Sequence, residues 1–394
     1  MPRAAAFWTV TATTATLTAA SSAPSPLYPV YQAEFTFSAI TLTVIFAVYV
    51  FALLASLLTV AKLSDYAGRR VVLAGSLVVE AAAMALFLAA DGVGWLVIAR
   101  IVQGLATGAA TGTLAAYLLD LQPADGSRLG SLVNSAAPTF GLGLGAVMAG
   151  LLVQYAPHPT RLVFALLGAL FVALTVVTVA ALPETVQRVP GGLAALRPSV
   201  AVPPRARRAF AGAIPPLVAA WALGGLFPSV GGSLLVAVFD QPNHAVAGLV
   251  IGLFPLSAGS AAVLGRDAAP PAMTRIGCAA LAAGTGLFLL AVGWSSIGLF
   301  AAASVVAGAG FGSTFLGSLR SVSQLAEAHQ RAGLLSAVYV VSYLAFSVPA
   351  LVAGLLATHV GLRDTSFSYG GFVAVLAVGT LAYERLPGRK RSPR

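Results

Sequence analysis

Two ionisable residues lie deep inside apolar stretches of this chain. Glu80 is the only acid well within such a stretch, and Arg100 lies in the next one. Ionisable side chains in an apolar medium are rare and usually functional. At 1.5 Å per residue, Glu80 is about 14 Å and Arg100 about 21 Å from one side of the layer that their helices would cross. Long side chains can span this difference, so we predict a buried Glu80–Arg100 pair, either a proton carrier or a static bridge.

The composition identifies the medium around these residues as lipid. Of 394 residues, 58% are hydrophobic and only 9% are charged, whereas soluble domains carry about 25% charged residues. Apolar runs of about 20 residues recur along the chain, and each can cross a hydrocarbon core of roughly 30 Å. The sequence therefore predicts an all-α integral membrane protein with the lipid bilayer as its solvent.

Apolar runs and their polar breaks predict twelve transmembrane helices in two bundles of six. The spans of the first bundle are 6–30, 38–61, 71–90, 94–119, 129–155 and 161–182. Those of the second are 209–238, 245–264, 275–292, 297–322, 332–358 and 366–386. The predicted domains are an N-terminal bundle (1–182), a basic cytoplasmic linker (183–208), a C-terminal bundle (209–386) and a basic cytoplasmic tail (387–394). The first span also looks like a cleavable signal peptide, but its removal would leave five spans against six, so we keep it.

The basic residues lie mainly in alternate loops, on the side that carries both termini. This distribution follows the positive-inside rule and predicts cytoplasmic termini in a multi-pass protein of the inner (plasma) membrane. The same distribution argues against a nucleic-acid-binding patch, despite the net charge of +10.

A short charged segment, residues 61–70, separates the second and third spans. Its pattern resembles the signature loop of the major facilitator superfamily of transporters, G-x-L-x-D-R-x-G-R-R. The matching residues are Leu63, Asp65, Gly68, Arg69 and Arg70, and the departures are Ala61 for the first Gly and Tyr66 for the expected Arg.

This resemblance implies a conformational latch formed by Asp65, Gly68, Arg69 and Arg70. We expect Asp65 to sit against the N-terminus of span 11, whose partial positive charge stabilises a carboxylate. The contact would form in one conformation and break in the other. A plainer alternative is that Arg69 and Arg70 only anchor the loop to anionic lipid.

Spans 4 and 5 carry two further resemblances to the family. The family's span-4 motif R-x-x-Q-G matches Arg100, Gln103 and Gly104, with Gly108 one turn later. The resemblance implies that Arg100 takes part in proton coupling, for which we also name Glu80 and Gln103. In span 5, a segment similar to the exporter motif G-x-x-x-G-P-x-x-G-G lacks both preceding glycines and has Leu142 in the final pair. Its small and bending residues, for which helix packing is the alternative role, are Pro138, Gly141, Gly143 and Gly145.

The cavity is expected to be apolar and aromatic. Span 1 has a mildly polar stripe that includes Thr14 and Thr18, although such residues also hydrogen-bond within their own helix. By resemblance, spans 1, 4, 7 and 10 line the cavity, and they add the candidates Trp221, Phe227, Phe311 and Phe315.

The motifs favour transport over catalysis. The chain has no G-x-x-x-x-G-K-[ST] phosphate loop, no metal-spaced His/Cys cluster and no nucleophile set. We therefore expect no enzyme activity, no cofactor and no metal. The resemblance to the twelve-helix drug:proton antiporter type implies alternating access, with proton-coupled efflux of small apolar organic compounds by a monomer. Two alternatives are proton-coupled uptake of a metabolite by symport and, in a different class, a non-transporting membrane sensor.

Overall fold

The computed structural model describes residues 1–123, 129–187, 196–198, 200–327 and 330–385. These residues form helices and connecting segments, with no β-strand among them. The middle of the predicted linker and the whole predicted tail lie outside the described residues.

Thirteen α-helices follow one another along the described chain. The first half contains α1 (Arg3–Ser22), α2 (Tyr28–Phe35), α3 (Ala39–Thr59), α4 (Ser64–Ala67), α5 (Arg69–Leu88), α6 (Val93–Leu121), α7 (Leu129–Tyr155) and α8 (Leu162–Ala181). The second half contains α9 (Arg207–Ala237), α10 (His244–Leu264), α11 (Pro270–Trp294), α12 (Ile297–Ser323) and α13 (Arg331–Arg385).

Ten of the described helices are long and apolar enough to cross a membrane. The predicted multi-pass, all-helical membrane protein is therefore confirmed, but the count differs from twelve at two places. The helix α1, with its many Thr and Ser residues, is not among the ten. The helix α13 counts once although it is broken at Gly361, whose φ of 81° lies in the left-handed region that a residue without a Cβ adopts readily.

The first helix ends where proline removes its hydrogen bonds. Pro24 and Pro26 lack an N–H group and so cannot continue the α-helical pattern. A 3₁₀ turn, Ser25–Leu27, leads into α2 instead. Because Pro24 lies four residues after Ala20, the carbonyl of Ala20 receives no helical hydrogen bond from a backbone N–H.

Each half has its own buried apolar cluster. In the first half it includes Leu77, Tyr117 and Phe171, and in the second half Phe227 and Phe288. Because lipid tails are as apolar as these side chains, close packing rather than expulsion of water must hold such helices together.

Small residues provide that close packing between α3 and α6. A Cβ added at Gly104 would collide with the carbonyl oxygen of Tyr49, and one at Gly108 with that of Leu53. The backbones of these two helices therefore touch along two turns.

The second half repeats the same packing. Gly308 and Gly312 of α12 have the same spacing as the two glycines of α6, and they press against the carbonyl oxygens of Phe254 and Ala258 in α10. The two halves therefore share one helix arrangement, in which these two glycine pairs occupy equivalent positions.

The two halves meet along α7 and α10. Gly143 packs against the backbone of Gly252, and Gly150 against that of Gly248. On its other side, α7 places Gly141 and Gly145 against α1. Pro138 lies inside α7, which continues through it.

We predict that this seam does not tolerate added volume. In Gly252→Ala, the new methyl would lie 2.7 Å from the carbonyl oxygen of Gly143, so unfolding in detergent should need about 1–3 kcal/mol less free energy. Gly286→Ala is the matched control, because nothing lies within 4 Å of its added Cβ. Equal melting curves for the two variants would contradict the packing described.

Candidate functional site

A buried polar network lies between α1, α3, α5 and α6. Its members Glu80, Arg100, Gln103 and Thr107 are all at most 2% exposed. In a medium without water, each polar group here depends on the others for its hydrogen bonds.

The Arg100 guanidinium binds the end of α1. Its Nη1 atom donates to the carbonyl of Ser21 at 3.1 Å and to Oε1 of Gln103 at 2.7 Å. Its Cζ atom lies 4.4 Å from the centroid of the Tyr49 ring, a favourable cation–π distance. The Tyr49 hydroxyl in turn donates to Oγ of Ser21 at 2.8 Å.

Gln103 completes the attachment of α6 to α1. Its Nε2 atom donates to the carbonyl of Ala20 at 3.0 Å. This is the carbonyl that Pro24 leaves without a helical donor. The network therefore holds α1 at the two residues just before its break.

Glu80 is held by Thr107. The Thr107 hydroxyl oxygen lies 2.6 Å from Oε1 of Glu80 and 2.8 Å from the carbonyl oxygen of Gln103. The second carboxyl oxygen of Glu80 is buried without a hydrogen-bond partner.

The predicted direct Glu80–Arg100 pair is wrong for this conformation. No ion pair joins these two residues in the described part of the chain. Side chains tilt toward the N-terminus of their own helix, and α5 and α6 run in opposite directions. The two side chains therefore diverge, and Thr107 and Gln103 connect them indirectly.

The charged loop forms a network of its own. Asp65 makes an ion pair with Arg69. Arg69 also donates from Nη1 to Ser64 at 2.8 Å and from Nε to Asp120 at 3.3 Å. The Asp65 side chain is 56% exposed, and among the described residues it makes no hydrogen bond to the first turn of α13. In this conformation, the predicted contact of Asp65 with span 11 is therefore not formed.

Glu184 caps the N-terminus of α5. Its Oε1 accepts from the backbone N–H of Arg69 at 2.8 Å, and its Oε2 from that of Arg70 at 3.1 Å. A carboxylate is favoured there because it satisfies free N–H groups and faces the positive end of the helix dipole. Gly68, with φ of 99°, gives the carboxylate room, since a Cβ there would collide with it.

Asp120 and Glu184 were missed by the sequence analysis. Both follow the apolar part of a predicted span on the same side as the loop, which was the available signal. Their separation from Arg69 by 51 and 115 residues hides the contact.

An aromatic cluster lies in the second half, centred on Trp221. The ring centroids of Phe311, Phe315, Tyr343 and Phe346 lie 5.2–5.6 Å from that of Trp221. The structure thus brings together three of the predicted cavity residues and adds Tyr343 and Phe346 of α13.

Phe46 of the first half touches this cluster. Its ring centroid lies 5.2 Å from that of Phe346. The aromatic surface therefore crosses from one half to the other, which the sequence pattern did not indicate.

The remaining cavity candidates are placed elsewhere. Phe227 is 1% exposed in the core, with the ring of Phe254 4.8 Å away, and this corrects the expectation that it lines a cavity. Thr14 donates to the carbonyl of Val10, and Thr18 to that of Thr14, so both bond within α1. Thr18 also lies where a Cβ on Gly141 would collide with it, at the contact between α1 and α7.

The polar network has no counterpart at the equivalent positions of the second half. When α6 and α12 are aligned on their paired glycines, the positions of Arg100, Gln103 and Thr107 are taken by Ser304, Ala307 and Phe311. The shared helix arrangement therefore carries ionisable chemistry in one half and an aromatic surface in the other.

The halves are joined on the face opposite the N-terminus. Ser233 donates to Oε1 of Gln32 at 2.6 Å, and the backbone N–H of His244 donates to Oε1 of Gln154 at 2.8 Å. On the face that bears the N-terminus, a cavity of about 480 Å³ is lined by Lys62, the first turn of α13 and the segment before α9.

Comparison with solved structures identifies the fold. A mutant of the peptide transporter POT in complex with sulfate is similar with a TM-score of 0.74 and 17% identity, covering 96% of this chain and 94% of that one. The nucleoside transporter NupG gives 0.69 and 14%, covering 97% and 99%. A bacterial homologue of the human lysosomal transporter Spinster, inward-facing and unoccupied, gives 0.70 and 12%, covering 97% of each chain. At these identities the likeness shows the fold alone.

Comparison with sequences identifies the family. A search of curated proteins found no match. The family described as Major Facilitator Superfamily matches residues 10–278, which is more than half of the chain. Together with the transporter fold, this match points to a transporter and not an enzyme: the chain belongs to the major facilitator superfamily.

Proposed function

We propose that this protein is a proton-coupled exporter of small apolar organic compounds, of the drug:proton antiporter type, that works by alternating access. The observation that carries the substrate class is the aromatic cluster around Trp221. Its surface offers ring faces and edges and no ionised side chain, which suits flat apolar molecules.

The depth of this cluster supports a binding role. Trp221 lies near the middle of α9, and Phe311 lies near the middle of α12. At 1.5 Å per residue, both are about 21 Å along their helices, near the middle of a bilayer. Transporters of this general design bind substrate near the midplane, between their two halves.

The proposed topology has twelve crossings. The ten long apolar helices are supplemented by α1 and by the break of α13 at Gly361, which would give the chain an even number of spans. Both termini would then lie on the basic side, which is the cytoplasmic side of the plasma membrane by the positive-inside rule. The face with the 480 Å³ cavity would then be the cytoplasmic one.

The proton would be carried by the first half. Glu80 is the ionisable acid of the buried network, with Arg100 and Gln103 as its indirect partners on α6. Proton and substrate then occupy different halves and communicate through the rocking of one half against the other.

Uptake by symport is the second candidate. Two of the similar structures are a peptide transporter and a nucleoside transporter, so metabolites are the substrate class that their names suggest for this alternative. The direction of proton movement that accompanies the compound separates export by antiport from uptake by symport.

We predict that Trp221→Ala reduces transport about tenfold, because each aromatic pair lost with the compound is worth about 0.5–1.5 kcal/mol. The measurement is proton release from acidified inside-out vesicles on addition of a planar aromatic compound. Trp294→Ala is the control, since this tryptophan is 71% exposed and should change the rate less than twofold. Equal rates in both variants would exclude the cluster as the substrate site.

We further propose that Asp65 reaches the N-terminus of α13 when the cytoplasmic face closes. Asp65→Asn should then lower the yield of a disulfide between cysteines placed at Lys62 and Gly333, which line the same cavity. The reason is that the neutral side chain loses its attraction to the helix dipole. The control is Asp267→Asn in the second half, an exposed acid paired with its neighbour Arg266. An undiminished yield in Asp65→Asn would leave the loop without a latching role.

A further inference from the structure

The Thr107 hydroxyl has one proton and two acceptors within hydrogen-bond distance. These acceptors are Oε1 of Glu80 at 2.6 Å and the carbonyl oxygen of Gln103 at 2.8 Å. A threonine hydroxyl donates one hydrogen bond and accepts up to two. If Glu80 were ionised, the single Thr107 proton would have to serve both acceptors.

A proton on Glu80 resolves this shortage. The carboxylic acid then donates to Oγ1 of Thr107, and Thr107 donates to the carbonyl of Gln103, so each short contact contains one proton. The other carboxyl oxygen, which has no partner, belongs to a neutral group and not to a buried anion. The hydrogen-bond geometry thus points to a protonated Glu80 in this conformation.

Few charged or titratable groups face Glu80. From α6 the charged group is Arg100, and from α3 the Tyr49 hydroxyl lies within electrostatic range. The helix α8, on the other side of α5, has no ionisable residue. The positive charge of Arg100 already interacts with the Ser21 carbonyl, the Gln103 amide oxygen and the Tyr49 ring.

Loss of the proton would redistribute these bonds. Thr107 would turn its proton to the Glu80 carboxylate, and the backbone carbonyl of Gln103 would keep only its helical N–H donor. The new negative charge would attract the Arg100 guanidinium away from the Ser21 carbonyl. This movement of Arg100 loosens the attachment of α6 to α1.

That attachment lies just before the break in α1, and the chain after the break closes one face of the protein. The carbonyl oxygen of Ser25 and the ring of Pro29 pack against Gly232 of α9. Gln32, one turn later, accepts the hydrogen bond from Ser233. A change at residues 20–21 is therefore about one to three turns from the contacts that seal the face opposite the N-terminus.

We infer that Glu80, held by Thr107, binds a proton in this conformation and that Arg100 and Gln103 transmit its loss to the break in α1, which opens the face opposite the N-terminus. The inference deepens the proposed proton coupling and rests on it. Thr107 and Gln103 act here as positioning residues.

The test uses a single reporter thiol. The chain has one cysteine, the buried Cys278, which is replaced in Cys278→Ala. Ser233→Cys then places a near-isosteric thiol at the seal. Its labelling by a membrane-impermeant maleimide is measured in vesicles from pH 5.5 to 8.5 and normalised to the same protein unfolded at each pH. We expect the normalised rate to rise at least fivefold with pH.

Three variants decide the outcome. Glu80→Gln mimics the protonated acid and should keep the rate low at every pH. Thr107→Val lacks the hydroxyl and should weaken the pH response, whereas Thr107→Ser keeps it and should behave as the parent. The two variants at Thr107 both retain Glu80, so they provide the test if Glu80→Gln does not fold. An unchanged pH response in Glu80→Gln, or equal responses in the valine and serine variants, would overturn the inference.

The labelling result is independent of transport. If the response depends on Glu80 and Thr107 but vesicles show no substrate-driven proton release, the inference stands and the proposed export fails. If export occurs but the pH response of the labelling rate does not depend on Glu80 or Thr107, the inference is overturned and the proposed function stands.

Discussion

A polar group inside a bilayer cannot form hydrogen bonds with water, and this constraint shapes the structure of this protein. Most hydroxyl groups in the described helices bond to a carbonyl of their own helix, as Thr14 and Thr285 do. The longer polar side chains of Arg100, Gln103 and Glu80 instead share partners with α1 and Thr107 in one place. Because Pro24 frees the Ala20 carbonyl, the chain offers an acceptor there that an unbroken helix would not.

The two halves use one arrangement of helices for different chemistry. Equivalent pairs of glycines in α6 and α12 press against α3 and α10 in the same way. Where the first half places Thr107 beside an acid, the second half places Phe311 beside Trp221. Because the ionisable site and the aromatic site are separate, a mutation at one does not remove a direct contact with the other. It also means that any coupling between them must pass through the seam between the halves.

Part of this account could be predicted from the sequence, and part depended on three-dimensional contacts. Hydropathy predicted the helices, and the rarity of charge in apolar runs identified Glu80 and Arg100 as unusual. The direct pair between them was wrong because helix depth does not give side-chain direction. The cap formed by Glu184 joins segments 115 residues apart, and a local sequence pattern cannot predict a contact over that separation. Phe227 was misplaced for a related reason, since an aromatic residue on a cavity helix can face the core.

The central claim is that the two halves rock so that one face closes as the other opens. The most direct measurement is a pair of distances between spin labels in the Cys278→Ala background. One pair, at Lys62 and Ala332, spans the face with the cavity, and the other, at Ala33 and Pro242, spans the opposite face. The account predicts that raising the pH shortens the first distance and lengthens the second. Two distances that stay fixed, or that change in the same direction, would contradict it.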